Sequence, residues 1–450
     1  MPHTIAYLTA GGAGMFCGSC MRDNTLAAAL IRLGCDVHLI PLYTPIRTDE
    51  ENVSIDRVFF GGINVYLQQQ APLVRYLPGF LVRWLDHPRL LNGIGRLGIK
   101  TSGRQLGALA VSVLRGEHGH QRGEVFRLVE WLAAHVQPQL INLSNLLIAG
   151  CVPTLKRTLG GPVLVTLQGD DLFVDELPEP YQSQARDELR RLAAQVDGFL
   201  VFSQYYAEFM AESLQVPLDR FHVVPMGVKL DDFQTIAPAA EGRPLTIGYL
   251  ARLCRAKGLH VLTDAYLRLR RMPGGENARL HVAGWLPPSE RAFVKSQFDT
   301  LQRAGVGDDF RYFGELERPA KLNFLRSIDV LSVPTVYREP KGIFVLEALA
   351  SGVPVVQPAH GAFPELLAAT GGGRLVPPED AHELARALHE LLTDPPGRTA
   401  LGHAGRQRVL AEFGAERMAA ATLEVYQKYL ADHSRTEFIP LHSTVPAHTE

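Results

Sequence analysis

The stretch GYLARLCRAKGLHVL, residues 248–262, and its companion YREPKGIFVLEALASGVPVV, residues 337–356, decide how this chain is read. In the first, an apolar β-rich run ends at Arg252, and Lys257-Gly258 opens the helical pattern GLHVLTDAYLRLRRM. In the second, the run DVLSVP gives way to the loop VYREPK and then to the apolar helical pattern GIFVLEALASG, which stops at Gly352. A continuous apolar run, a turn and a helix make the repeating unit of a parallel sheet covered on both faces. In open sheets of this kind ligands sit beyond the carboxyl ends of the strands. Arg252, Lys257, Glu339 and Glu347 are therefore expected to face one cleft.

The same alternation extends along most of the chain. TIAYLT, CDVHLIP, QLINL, VLVTL, GFLVFS and FHVVP read as strands of a first unit; LTIGYL, RLHVAG, FRYFG, DVLSVP, VPVVQ and GRLVP read as strands of a second. Helical patterns such as LAAALIRLG, VFRLVEWLAAHV and HELARALHELL lie between them. The expected fold is α/β, with two Rossmann-like, doubly wound parallel-sheet domains. The aperiodic, Pro/Ala/Gly-rich QTIAPAAEGRP (234–244) marks the boundary, giving domains of 1–237 and 238–415. An irregular zone of about 61–125 reads as a helical insertion on the acceptor side of the first domain. A helix over 416–431 follows the second domain, and 432–450 reads as a loose tail.

Length and composition agree. A chain of 450 residues exceeds the usual size of a single hydrophobic core, and 46% hydrophobic with 20% charged residues is ordinary for a globular protein. A net charge of −2 without basic clusters gives no case for nucleic acid. The N-terminus lacks the zones of a secretory signal, no run of about 18 apolar residues is present, and the five cysteines are odd in number and scattered. The expectation is a cytoplasmic protein with reduced thiols; membrane contact through a local patch stays open if the acceptor is a lipid.

The chemistry of the two stretches suits a ligand that carries both an anionic diphosphate and sugar hydroxyls. Guanidinium and ammonium groups partner phosphate oxygens, although Arg252 and Lys257 taken alone read more readily as solvated loop cations. Gly342 lets a ligand approach the first free N–H groups of the helix, where the dipole favours an anion. Glu347 stands among Val345, Leu346, Ala348, Leu349 and Ala350, where a carboxylate needs a partner. A pair of ribose hydroxyls or a buried salt bridge with a lysine or arginine would serve. The loop Gly11-Gly12-Ala13-Gly14 is either a tight turn or a place of close backbone approach. Cys17-Gly-Ser-Cys20 reads as small residues packed at a turn, with a reactive thiol as the alternative. No metal-ligand spacing is found among the histidines or cysteines, so neither a metal nor a cofactor is expected.

The Glu-x7-Glu pattern of Glu339 and Glu347, with the upstream Arg-x4-Lys-Gly of Arg252 and Lys257, resembles the retaining family 4 glycosyltransferases of GT-B fold. SQYYAEFMAESLQVPLDRFHVVPMGVKLDDF (203–233) is similar to the segment closing that family's first domain, and GAFPEL (361–366) to its Gly-Gly-x-x-Glu turn. The resemblance covers most of 195–415. It implies an interdomain cleft holding a nucleotide-sugar donor, with Arg252 and Lys257 on the diphosphate, Glu339 on the transferred sugar and Glu347 on the ribose. Gly342, Ile343 and Phe344 would line the sugar and phosphate, and Gly12 and Gly14 would approach the donor phosphates or the acceptor. It also implies same-face transfer, with the leaving phosphate accepting the acceptor's proton, and a C-terminal helix crossing back to brace the first domain.

Two positions depart from the pattern. Gln168, in TLQGDD, stands where the family commonly has histidine; its amide can bond a sugar hydroxyl but cannot shuttle a proton. Lys341 stands where the family often has an aromatic or other apolar residue. Arg22, Asp23 and Asn24 are candidates for acceptor contacts, and so is Asp170, which with Asp171 reads equally as a helix-capping aspartate. A non-catalytic sugar-nucleotide sensor and another GT-B enzyme, such as a sugar-nucleotide epimerase or a phosphorylase, are the competing readings.

Overall fold

The computed structural model describes residues 3–11, 17–60, 103–233 and 244–437. Six strands form the first sheet: β1 (Thr4–Thr9), β2 (Asp36–Pro41), β3 (Leu140–Leu143), β4 (Val163–Thr166), β5 (Gly198–Val201) and β6 (Phe221–Val223). Six more form the second: β7 (Thr246–Leu250), β8 (Arg279–Ala283), β9 (Phe310–Tyr312), β10 (Val330–Leu331), β11 (Val355–Pro358) and β12 (Gly373–Val376). Their apolar runs are continuous because both faces are covered by helices: β3, β4, β5 and β11 are buried along their whole length.

The strand order locates the clefts. The first sheet runs β2-β1-β3-β4-β5-β6 and the second β12-β11-β10-β7-β8-β9, with parallel pairing throughout the described ladders. Each sheet is laid down to one side of its first strand and then to the other, so the loops after β1 and β3, and after β7 and β10, diverge and leave a crevice. Leu8 pairs with Leu143 at the first switch point, and Gly248 with Leu331 at the second.

The helix Ala415–Glu437 returns to the first sheet. Met418, Ala419 and Tyr426 pack with Ile5, Tyr7, Leu26 and Leu30 in one apolar cluster. Arg32 Nη2 donates to Glu416 Oε1 at 2.8 Å, and Tyr429 Oη lies 2.9 Å from His222 Nε2. Outgoing and returning chains meet at Val228, whose N–H donates to Phe413 O at 2.9 Å and whose carbonyl accepts from Ala415 N at 3.1 Å. The helix passes Asp432, where the sequence reading began a tail, because residues 433–437 (HSRTE) contain neither glycine nor proline to break it. Residues 438–450 lie outside the described residues, as do 234–243 of the boundary segment and 61–102 of the expected insertion. The remainder of that insertion includes the helix Gly103–Leu114, whose Val111 and Leu114 join the core of the first sheet.

Polar contacts join the two domains at several places. Residues 47–50 of the first domain meet 315–321 of the second: Arg47 pairs with Glu315 at 3.1 Å, Asp49 with Lys321 at 2.7 Å and Glu50 with Arg318 at 3.1 Å. On another side the Glu365 carboxylate accepts from the Gln204 and Tyr205 amides, at 2.8 and 2.6 Å, at the start of the helix Gln204–Leu214. A carboxylate is favourably placed there, at the positive end of a helix dipole.

Because Met418 is fully buried against the first sheet, Met418→Ala is expected to lower unfolding free energy by about 2–5 kcal/mol. Urea unfolding followed by circular dichroism would measure it; a loss below about 0.5 kcal/mol would mean the returning helix contributes little to that core.

Candidate active site in the interdomain cleft

The loops after β7 and β10 are locked together by glycine. Gly258 has φ +74°, and a Cβ there would meet the Pro334 carbonyl oxygen at 1.7 Å, so no other residue allows the two loops this approach. Gly361 plays the same part behind Glu339: with φ +61°, a Cβ would lie 2.6 Å from Glu339 N and O. The Ala362 N–H donates to Glu339 O at 2.8 Å, so the GAFPEL turn backs directly onto the glutamate.

A cavity of about 480 Å³ opens between the domains at these loops. Volumes of this order accommodate ligands of nucleotide size. Arg252, Lys257, Glu339, Ile343, Phe344 and Glu347 all line it, so the residues singled out from the two motif stretches do share one site. Gly342 is the N-cap of the helix Ile343–Ala350, with φ +78°.

Glu339 is 3% exposed, and Lys257 Nζ donates to its Oε2 at 2.6 Å. Tyr337 Oη donates to the same oxygen at 2.5 Å, and the Lys341 and Gly342 amides face Oε1 at 3.3 and 3.4 Å. Burial alone would raise the carboxyl's pKa, but the Lys257 charge and these hydrogen bonds outweigh it and hold the group down at about 2. Burial and the Glu339 charge push the Tyr337 phenol well up, so it remains a donor. Arg252 lines the cavity, forms no ion pair among the described residues, and is bonded through its side chain to Cys254.

Glu347, 7% exposed, meets Lys321 Nζ at 2.6 Å. Of the two partners the sequence left open, the structure shows the lysine. Lys321 sits on the helix Arg318–Arg326 and also reaches Asp49, so the first domain takes part in this end of the site. Lys341 crosses the cleft in the opposite sense, its Nζ donating to Ser19 Oγ of the first domain at 2.7 Å. Lys321, Asp49, Tyr337 and Ser19 were not singled out from the sequence.

The first domain contributes Gln168. Its Nε2 donates to Asp23 Oδ1 and to Ser144 O, both at 2.9 Å, leaving Oε1 without a partner at the cavity wall. Asp23 is not itself at the surface: it is fully buried, accepting from Tyr7 Oη and Thr9 Oγ1 at 2.9 Å each. Arg22, 1% exposed, donates to Tyr7 Oη at 2.7 Å and lies over the Phe202 ring. Asn24 donates to Glu51 O at 2.8 Å and accepts from Val53 N at 2.9 Å, tying down the chain after β2. The structure thus buries Arg22, Asp23 and Asn24 within the first domain. Asp170 is likewise buried, accepting from the Leu146 N–H at 2.5 Å and the Gln168 N–H at 3.0 Å, which makes it a cap for the loop beneath Gln168. Burial lifts its pKa to about 7.

Gly12, Ala13 and Gly14 lie outside the described residues. Cys17 caps the helix Gly18–Arg32 and lines the cavity, while Cys20 is buried; both are free thiols. A hydrogen bond with Cys20 draws the Cys17 thiol well below its ordinary pKa against the effect of burial, and the Lys341 charge adds to this.

Two Rossmann-like sheets facing one another across a cleft with this clamp define a GT-B architecture, and comparison with known proteins agrees. Residues 232–408 match the family model "Glycosyl transferases group 1", and residues 103–232 match "Glycosyltransferase Family 4". An MMP alpha-(1->4)-mannosyltransferase of Mycolicibacterium hassiacum is 30% identical over 243 residues, which span 54% of this chain and 56% of that relative. A D-inositol 3-phosphate glycosyltransferase of Saccharomonospora viridis is 26% identical over 433 residues, 88% of this chain and 93% of the relative. Among solved structures, sucrose-phosphate synthase of Thermosynechococcus elongatus shares the fold at TM-score 0.69 and 19% identity, covering 96% of this chain and 100% of that one. The chain is a glycosyltransferase of GT-B fold.

A carboxyl held below its unfolded-state pKa contributes stability that is complete above the ordinary glutamate range and is lost as pH falls towards about 2. Thermal melts of the wild type and Glu339→Gln should differ by on the order of 3 kcal/mol at neutral pH, with the difference shrinking as acid is added. A difference that stays constant down to about pH 2 would mean that Lys257 and Tyr337 do not hold the carboxylate.

Proposed function

We propose that this glycosyltransferase moves a sugar from a nucleotide-diphosphate sugar to an acceptor with retention at the anomeric carbon. One observation carries the reading: a cation pair and two buried carboxylates line a single cavity at the β7/β10 switch point, where an anionic ligand bearing hydroxyls has its partners. Arg252 and Lys257 would bind the diphosphate. Glu339, fixed by Lys257 and Tyr337, would hold hydroxyls of the transferred sugar, and Glu347 would take the ribose. The Ile343 and Phe344 amides, at the start of their helix, add donors for the sugar and phosphate.

The mechanism in this reading starts from the groups around Gln168. Gln168 supplies a carbonyl oxygen to the first-domain side and no proton carrier. Asp170, the nearest carboxyl in sequence, is committed to backbone N–H groups. Same-face transfer, in which the departing phosphate takes the acceptor's proton, needs stabilised phosphate charge more than a protein base, and Arg252 and Lys257 are placed to give it. The acceptor would enter past Cys17, Ser19, Met21 and Phe173 on the first-domain wall. The relative named as acting on D-inositol 3-phosphate makes phosphorylated polyols a first class to try.

Incubation with a panel of UDP-, GDP- and ADP-sugars, with and without acceptors, should release free nucleotide. Glu339→Gln is expected to lower kcat by roughly 10²–10³-fold with little change in nucleotide affinity, as for loss of a transition-state contact. Glu347→Gln should instead weaken nucleotide binding by roughly 10-fold or more. Donor-induced thermal stabilisation without turnover would favour a sensor, and epimerised donor without released nucleotide would favour an epimerase.

A further inference from the structure

At the Glu347 end of the cavity a charge balance is left unresolved. Lys321 Nζ is shared between Glu347 Oε1 at 2.6 Å and Asp49 Oδ2 at 2.7 Å. The group therefore holds two carboxylates and one ammonium, all nearly removed from water. Burial tends to discharge the lysine, but the Glu347 and Asp49 charges win and raise its pKa, so the ammonium persists. Asp49 lines the cavity, its side chain is 2% exposed, and its second oxygen, Oδ1, has no hydrogen-bond partner. A buried acceptor without a donor is unfavourable unless a ligand supplies one.

We infer that the nucleoside end of the donor is held by both domains: Asp49 Oδ1 accepts a hydrogen bond from one ribose hydroxyl while Glu347 accepts from the other, and Lys321 is the positioning residue that aims both carboxylates. This rests on the donor reading of Glu347 above and extends it to a residue of the opposite domain. Two vicinal hydroxyls are the ligand chemistry that fits, since each is a donor and the two acceptors belong to one ion cluster. Recognition of the ribose thereby draws on one carboxylate from each domain. A donor bound in an open cleft would lack half of its ribose contacts.

The test compares UDP, GDP and ADP with their 2′-deoxy and 3′-deoxy counterparts by calorimetry on the full chain. The wild type should prefer the ribonucleotide to each deoxy form by roughly 10-fold or more, the worth of a hydrogen bond to a charged group. Asp49→Ala should bring that preference close to unity for one deoxy form and Glu347→Gln for the other. Asp49→Ala should also raise KM for the sugar nucleotide more than it lowers kcat. Arg47→Ala removes a neighbouring interdomain ion pair and should keep both preferences, which separates ribose contact from loosened domains. Unchanged preferences in Asp49→Ala, with one lost in Glu347→Gln, would overturn this inference and leave the donor reading standing. Preferences unchanged in Glu347→Gln, or no binding of any of the three nucleotides, would overturn the donor reading and this inference with it. Loss of both preferences in Arg47→Ala would assign the effect to domain contact alone and overturn the role of Asp49. A circular-dichroism melt of each variant confirms that folded protein is being compared.

Discussion

An ammonium and a carboxylate withdrawn from water together, Lys257 and Glu339 at 2.6 Å, set the terms for the rest of this site. Either charge alone at that depth would cost several kcal/mol, roughly, and would drive its own neutralisation. Paired, the carboxyl is held well below its ordinary pKa, and the two loops that carry the pair are joined through side chains as well as backbone. The pairing requires β7 and β10 to be neighbours, which the strand order supplies, and requires their loops to touch, which only glycine at 258 allows. Such preorganisation makes a polar wall useful in catalysis, because the groups need not reorient when charge develops.

The first domain answers with a network that is mostly out of sight. Tyr7 and Thr9 on β1, Arg22 and Asp23 on the first long helix, and Gln168 after β4 are joined by hydrogen bonds at or below 2.9 Å. Only Gln168 among them reaches the cavity. Asp23 carries the cost of burial, which raises its pKa against the pull of Arg22, and Arg22 keeps Nε and Nη2 without hydrogen bonds. The arrangement spends several buried polar groups to hold one amide in one orientation, with its carbonyl oxygen left over.

What the sequence made legible, and what it hid, follows from how far each signal reaches along the chain. The strands were readable because a buried parallel strand is a local run such as VLVT or VPVV. Glu347 was readable because a carboxylate among alanines and leucines is anomalous within one turn of helix. Its partner was not: Lys321 lies on a helix where lysine is unremarkable, and nothing nearby shows that it points inward. Segment 47–50 was equally silent, since its Arg47 pairs with Glu315, 268 residues away. The burial of Arg22, Asp23 and Asn24 was hidden for a related reason. Three consecutive polar residues on a helix span more than half its circumference, so some must face inward, and which ones depends on Tyr7 and Thr9 of another element.

The returning helix has a bearing on how the molecule is made. Ile5 and Tyr7 share a cluster with Met418 and Tyr426, so one face of the first sheet is completed by a helix that follows the whole second domain in the chain. At ribosomal speeds, roughly 20–80 s separate the appearance of Tyr7 from that of Tyr426. Through that interval the N-terminal sheet waits with an apolar face uncovered while the whole second domain can emerge and fold. A weakened contact between that helix and sheet would act during translation as well as in the finished fold, by prolonging the exposure of apolar surface.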